Sequence, residues 1–222
     1  MFILLDRETF PSVGTTSSDT GDFNGDGYVD VLFTSYRGAN SYIQDSFIHY
    51  GSATGMDPVA TEVMSTAGSL RSCIADLNDD GFDDVVQASH YSGSSYTTVS
   101  YIYWGSVNGI SETDSTPLET QSPYDCAIED MNQDGHLDIY FPAYAGTREA
   151  YVYWGSGSDV YDDTNRTSLP YADYTLHANV EDVNLDGYPD LLLGSYYSSD
   201  GVYLGSANGY STTTFESFNK SY

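Results

Sequence analysis

Four acidic segments recur along this chain at an almost constant interval. They read DFNGDGYVDV from Asp22, DLNDDGFDDV from Asp76, DMNQDGHLDI from Asp130 and DVNLDGYPDL from Asp182, so the spacings are 54, 54 and 52 residues. Self-similarity at such a period points to a propeller, a solenoid or an array. The likeness extends beyond the acidic turn. Each segment leads into an apolar run (VLFTSY, VVQASHY, IYFPAY, LLLGSYY) and a glycine- and serine-containing loop of variable length. An aromatic strand ending in GS follows: FIHYGS, YIYWGS, YVYWGS and VYLGS. ATG, VNG and ANG then read as hairpin turns, and the third repeat departs with GSD.

Each unit therefore spells strand, acidic turn, strand, loop, strand, turn, strand, which is a four-stranded antiparallel sheet. No sustained apolar period of 3.6 residues is present, so helix is scarce. The expectation is an all-β chain, a β-propeller of four blades, each a four-stranded antiparallel sheet. It forms a single domain over residues 1–222 with acidic loops at 22–30, 76–84, 130–138 and 182–190. Part of a larger propeller is the alternative. The chain ends hold one strand more than four blades need. FILLDRETF (residues 2–10) and STTTFESF (residues 211–218) compete for one outer-strand position.

Oxygen-bearing side chains at positions 1, 3, 5 and 9 of a tight loop suit a hard cation. Calcium takes six to eight oxygens in flexible geometry, backbone carbonyls included. The ligand sets are Asp22, Asn24, Asp26 and Asp30; Asp76, Asn78, Asp80 and Asp84; Asp130, Asn132, Asp134 and Asp138; Asp182, Asn184, Asp186 and Asp190. The position-7 carbonyls of Tyr28, Phe82, His136 and Tyr188 add a fifth ligand, and glycine at position 6 allows the sharp bend. Three carboxylates per loop leave a charge of about −1 once Ca²⁺ binds. Four ions, one per repeat, take the formal charge of −27 to −19 (−27 + 4 × 2). An EF-hand needs a helix and usually a glutamate at position 12. Here position 12 is Phe33, Gln87, Phe141 or Leu193, and a strand follows. Asp, Asn and Gly also make turns without metal, but four copies with identical ligand types favour the metal.

The D-x-N-x-D-G-x-x-D loop, the apolar strand, the small-residue segment and the aromatic-Gly strand together resemble the FG-GAP (VCBS-type) repeat. FTSYRG and FPAYAG lie near its GAP position. That repeat builds the calcium-binding propeller of integrin α-subunits and many secreted bacterial proteins. The resemblance covers nearly the whole chain and implies an extracellular or cell-surface, calcium-stabilised propeller.

The charge, from 33 acids against 6 bases, repels nucleic acid and anionic membranes and destabilises a compact state unless cations offset it. No segment is long enough to span a bilayer, and MFILL is too short for the core of a signal peptide, so a targeting signal would lie outside this chain. H-E-x-x-H, G-x-S-x-G and P-loop lysine motifs are absent. His49, His90, His136 and His177 fall at different repeat positions, which argues against a zinc site. Glu129 and Glu181, just ahead of their loops, read as surface or supporting groups rather than an acid/base pair.

Six residues past the last ligand of each loop lies an aromatic: Tyr36, His90, Tyr144 or Tyr196. These read as packing between blades. More tyrosines follow, with Tyr42 in the first repeat, Tyr91 and Tyr96 in the second and Tyr197 in the fourth. Their loops join the second and third strands, opposite the acidic turns. Tyrosine offers a flat apolar face with a polar tip, suited to a sugar or a protein loop. Tyr91, Tyr96 and Tyr197 are the candidate ligand-binding residues. Cys73 lies three residues before its loop and Cys126 four before its own, so on innermost strands they point to opposite sheet faces. They form either a disulfide between adjacent blades or two small buried thiols. Asn165 and Asn219 head glycosylation sequons. The function expected is non-catalytic recognition of a glycan or protein ligand. The alternatives are a structural subunit that self-associates into a fibre or array by strand exchange, and a polysaccharide-acting enzyme on a propeller scaffold.

Overall fold

The computed structural model describes residues 13–38, 41–56, 61–144, 149–170, 174–197 and 200–218. Sixteen strands lie within them, grouped into four sheets of four. The first blade holds β1 (Thr15–Gly21), β2 (Asp30–Ser35), β3 (Ser46–His49) and β4 (Thr61–Met64). The second holds β5 (Ser69–Ala75), β6 (Asp84–Ser89), β7 (Thr98–Tyr103) and β8 (Ser115–Thr120). The third holds β9 (Ala127–Glu129), β10 (Asp138–Phe141), β11 (Ala150–Tyr153) and β12 (Arg166–Leu169). The fourth holds β13 (Thr175–Glu181), β14 (Asp190–Ser195), β15 (Asp200–Tyr203) and β16 (Glu216–Phe218). Every sheet is a consecutive antiparallel meander. The chain is a four-bladed β-propeller, and no helix lies among its described residues.

The first strand of each blade is the innermost, with β1 packed on β5, β5 on β9 and β9 on β13. Blades meet through apolar faces. Phe23, Leu32, Ile48 and Met64 of the first blade pack on Val85, Tyr103 and Ile110 of the second. The second contributes Leu77, Val86 and Ile102 to a core shared with Ile139, Phe141 and Tyr161. Met131, Tyr140 and Val152 of the third close on Leu191, Tyr203 and Tyr210 of the fourth. Among the described residues no core cluster joins the fourth blade to the first. The strand patterns follow from this. β6 and β10 are buried along their whole length because a blade covers each of their faces, whereas β2 and β14 alternate.

Two repeat positions lock successive blades. In the first three repeats the aromatic before the GS pair meets the residue that ends the next blade's GS turn. Tyr50 Oη accepts from Ile110 N at 3.0 Å, while Trp104 and Trp154 pack on Tyr161 and Tyr210 with ring centroids 6.2 Å apart in both pairs. Position 2 of each acidic loop plugs the same seam: Phe23, Leu77 and Met131 are buried, but Val183 of the fourth blade is 47% exposed. No described blade follows to cover it.

Cys73 and Cys126 form a disulfide between the second and third blades, with Cα atoms 6.1 Å apart. Of the two readings of these cysteines, the buried thiols are therefore the one that falls. Of the two segments competing for an outer strand, STTTFESF supplies β16 on the edge of the fourth blade. FILLDRETF and Asn219 lie outside the described residues.

Candidate functional site

The connection between the first and second strands of each blade is the acidic loop, and all four share one backbone conformation. Position 4 is left-handed throughout: Gly25 (φ 67°), Asp79 (60°), Gln133 (60°) and Leu185 (62°). Left-handed conformation is costly for residues other than glycine, so its recurrence in three of them marks the loop as over-determined. Position 6 is glycine with φ between 82° and 97°, and the space a side chain would fill there is open. The position-1 carboxylate spans the turn. In the first loop Asp22 accepts from Asp26 N (3.0 Å) and Gly27 N (2.9 Å), and Asp76, Asp130 and Asp182 repeat the pair in theirs. Asn at position 3 accepts from the position-5 amide, and Asp at position 5 accepts from the position-7 amide.

Position 9 is different. Asp30, Asp84, Asp138 and Asp190 are fully buried. One oxygen of each accepts from the position-2 amide, of Phe23, Leu77, Met131 or Val183, at 2.9–3.0 Å. The other accepts from the glycine amide of the GS pair, Gly51, Gly105, Gly155 or Gly205, at 2.7–2.8 Å. This explains GS. A Cβ on any of these glycines would strike the carbonyl of the residue before the aspartate, so only glycine lets the third strand pass under the loop. Sequence reasoning treated this aspartate as a ligand alone. Its clamp on the GS strand was missed, although the co-occurrence of GS with every loop was the available signal. Burial raises the pKa of Asp30, and it pushes Asp84 and Asp138 up to about 7 against the lowering effect of the amide bonds.

The opposite end of the propeller is aromatic. Tyr91 and Tyr96 of the second blade lie with ring centroids 4.7 Å apart, and Tyr91 meets Tyr42 of the first blade edge-on at 4.8 Å. His90 is the hub. It is buried, contacts Tyr36, Tyr96, Tyr124 and Tyr144, and places Nδ1 2.7 Å from Ser122 Oγ. Its burial lowers its pKa. From Tyr144 the chain of rings passes through Tyr174 (5.4 Å) to Tyr197 (5.2 Å) and Tyr196 (4.5 Å from Tyr197). The three candidate ligand tyrosines thus belong to one ring-to-ring path across all four blades. Tyr91 is half-buried, Tyr96 is 47% exposed and Tyr197 is 70% exposed. The +6 aromatics pack between blades in the first three repeats. Tyr196 is exposed, the fourth blade having no described successor. Tyr124 and Tyr174, which bridge the path before β9 and β13, were missed because they fall at different distances from their loops and no period marks them.

An FG-GAP-like repeat family model matches residues 76–141, from the second acidic loop to the end of β10. That stretch is similar to an FG-GAP-like repeat. Integrin alpha-V of Gallus gallus is 27% identical over 189 residues, which cover 80% of this chain and 14% of the integrin. Integrin alpha-6 of Gallus gallus is 31% identical over 150 residues (59% and 13%), and integrin alpha-PS3 of Drosophila melanogaster 31% over 111 residues (46% and 10%). The chain therefore spans about one-seventh of the length of this first integrin relative.

FG-GAP propellers of the integrin type imply divalent cations at the acidic loops, and the donor chemistry fits. Each loop brings three carboxylates, an amide oxygen and a position-7 carbonyl, all hard oxygens, around a glycine bend with open space beside it. Among the described residues no three His, Cys, Asp or Glu side chains are gathered as a formed metal cluster. The carboxylates of positions 1 and 5 rest on loop amides instead.

Proposed function

We propose that this FG-GAP propeller is a non-catalytic, calcium-binding adhesion module of an extracellular or cell-surface protein, and that it recognises a protein or glycan ligand through its tyrosine face. The ring-to-ring path across four blades carries the reading. Rings supported edge-on by neighbours are pre-organised, so little side-chain entropy is lost when a partner settles on them. Tyr96 and Tyr197 present the exposed ends of that path. The calcium loops lie at the other end of each blade and supply stability rather than contact. The test is binding to a glycan array and to a panel of extracellular-matrix proteins in calcium, with Tyr96→Ala and Tyr197→Ala as paired variants. Binding to one class that both variants lose, with melting unchanged, is the expected result. Variants that melt early yet still bind would place the tyrosines in the scaffold and overturn the reading.

A second reading, self-association, is favoured by the exposed Val183 at the end of the fourth blade. A head-to-tail contact there propagates into a fibre unless it closes into a ring. Light scattering in calcium tests it, and deletion of residues 1–10 separates strand exchange from packing of blade on blade. A monomer at high concentration excludes both.

A further inference from the structure

The third repeat departs from the others in the turn after its GS pair. The second and fourth run GSVNGI (105–110) and GSANGY (205–210), whereas the third runs GSGSDVY (155–161), one residue longer. The extra residue leaves the blade contact intact. Tyr161 still fills the core against the second blade, its hydroxyl 2.6 Å from the Leu137 carbonyl and 3.4 Å from that of Leu77. What the longer turn changes is the place of Asp159. Its Oδ1 accepts a hydrogen bond of 2.9 Å from Asn78 Nδ2, position 3 of the second blade's acidic loop. Asn78 Nδ2 also donates to Asp80 Oδ2 at 3.1 Å, as Asn24, Asn132 and Asn184 donate to the position-5 aspartates of their own loops, so Asp159 is a second acceptor added to the shared pattern. In the turns of the second and fourth blades, Asn108 and Asn208 stand before the glycine, uncharged.

The loop that Asp159 reaches is also the most acidic. DLNDDGFDD carries five carboxylates, whereas DFNGDGYVD, DMNQDGHLD and DVNLDGYPD carry three each. One of the five, Asp83, is committed elsewhere: its Oδ2 accepts from Asp22 N at 2.7 Å and ties the second blade to the first.

We propose that Asp159 serves the second calcium loop from the neighbouring blade as a positioning residue, making that loop the tightest of the four and a calcium-dependent staple between the second and third blades. The inference rests on the calcium reading of the loops. Asp159 joins Asp80 in holding the Asn78 amide nitrogen from a second blade, which restricts the side chain further with Oδ1 turned into the loop, where it accepts from Asp80 N at 3.2 Å. It also adds a negative charge beside the cation. Calcium affinity follows ligand charge and site rigidity, and removing an outer partner that orients a ligand typically weakens metal binding about 10–100-fold.

The two tryptophans make the test site-specific. Trp104 and Trp154 immediately precede Gly105 and Gly155, whose amides bind the position-9 aspartates of the second and third loops, Asp84 (2.7 Å) and Asp138 (2.8 Å). Terbium, a hard cation that occupies calcium sites and luminesces when sensitised by a nearby indole, is titrated into the full chain with excitation where only tryptophan absorbs. Two steps are expected, the tighter from the second loop, and Trp104→Phe should abolish that step alone. Asp159→Asn should weaken it about tenfold, towards the third-loop step. Glu216→Gln, which removes a charge from β16, should leave both steps in place. The inference is overturned if Asp159→Asn leaves the tighter step unmoved, or if Trp104→Phe removes the weaker one. Luminescence absent from every variant, with calcium also failing to raise the melting temperature, overturns the calcium reading and this inference with it.

Discussion

Chelation is the perturbation that reaches most of this molecule at once. Four loops of one backbone conformation each hold three candidate ligand carboxylates, so twelve acids (4 × 3) are gathered into turns of a chain with formal charge −27. Cations that bind the folded loops and not the unfolded chain stabilise by mass action. For dissociation constants of about 10⁻⁴–10⁻³ M, about 10 mM calcium contributes roughly 1.4–2.7 kcal/mol per site, or roughly 6–11 kcal/mol over four sites. A chain of 222 residues has an unfolding entropy of about 0.5 kcal/mol/K, so melting should rise by roughly 12 °C or more. Differential scanning calorimetry of the EGTA-treated protein, with calcium restored stepwise, measures this. Sodium chloride at matched ionic strength is the control, because screening alone relieves part of the repulsion. Asp130→Asn, which alters position 1 of one loop, should remove roughly a quarter of the gain. A melting temperature that moves no further in calcium than in sodium would refute the four-site reasoning.

Three further outcomes are expected. Replacing Cys73 and Cys126 together by serine opens a 54-residue loop (53 + 1) between the second and third blades. In the loop-entropy model this costs about 4 kcal/mol, to be read from urea unfolding at fixed calcium. Tyr96→Ala and Tyr197→Ala remove exposed rings and should change stability by about 0.5 kcal/mol or less, while weakening ligand binding as measured by titration. Burial lowers the pKa of His90 in the folded protein. The unfolded chain therefore binds the extra proton first, and the parent should lose stability relative to His90→Gln as pH falls below about 6.5. Parallel melting curves from neutral to mildly acidic pH would show that His90 carries no such linkage.

The blade plan was legible because one unit is written four times. The acidic loop, the GS strand and the turn beyond it fall in the same order in every repeat, and alternation between them has only one antiparallel solution. The disulfide was half-legible: an offset of one residue between Cys73 and Cys126 gave opposed faces, but only the packed blades bring their Cα atoms within 6.1 Å. The tyrosine face was legible where it follows the repeat and hidden where it does not. Tyr124 and Tyr174 occupy connections whose length differs between blades, so no register marked them. The clamp made by Asp30, Asp84, Asp138 and Asp190 was hidden for another reason. A side chain that suits a cation and a side chain that clamps a backbone amide have the same formula, and only burial separates the roles.

Departures from the repeat carry as much information as its agreement. Phe23, Leu77 and Met131 are large because each must fill the seam against a following blade, and Val183 at the same position is smaller and exposed. Tyr50, Trp104 and Trp154 have a backbone amide or a ring to meet in the next blade, and the fourth repeat has Leu204 in their place. Both positions thus relax together where no described blade follows. The added residue in the third turn works in the opposite sense, since it places a charge on a neighbouring loop without loosening the core beneath it. Selection on a repeat acts position by position according to what each copy touches. Copies that touch something different are where a propeller of near-identical blades acquires distinct sites.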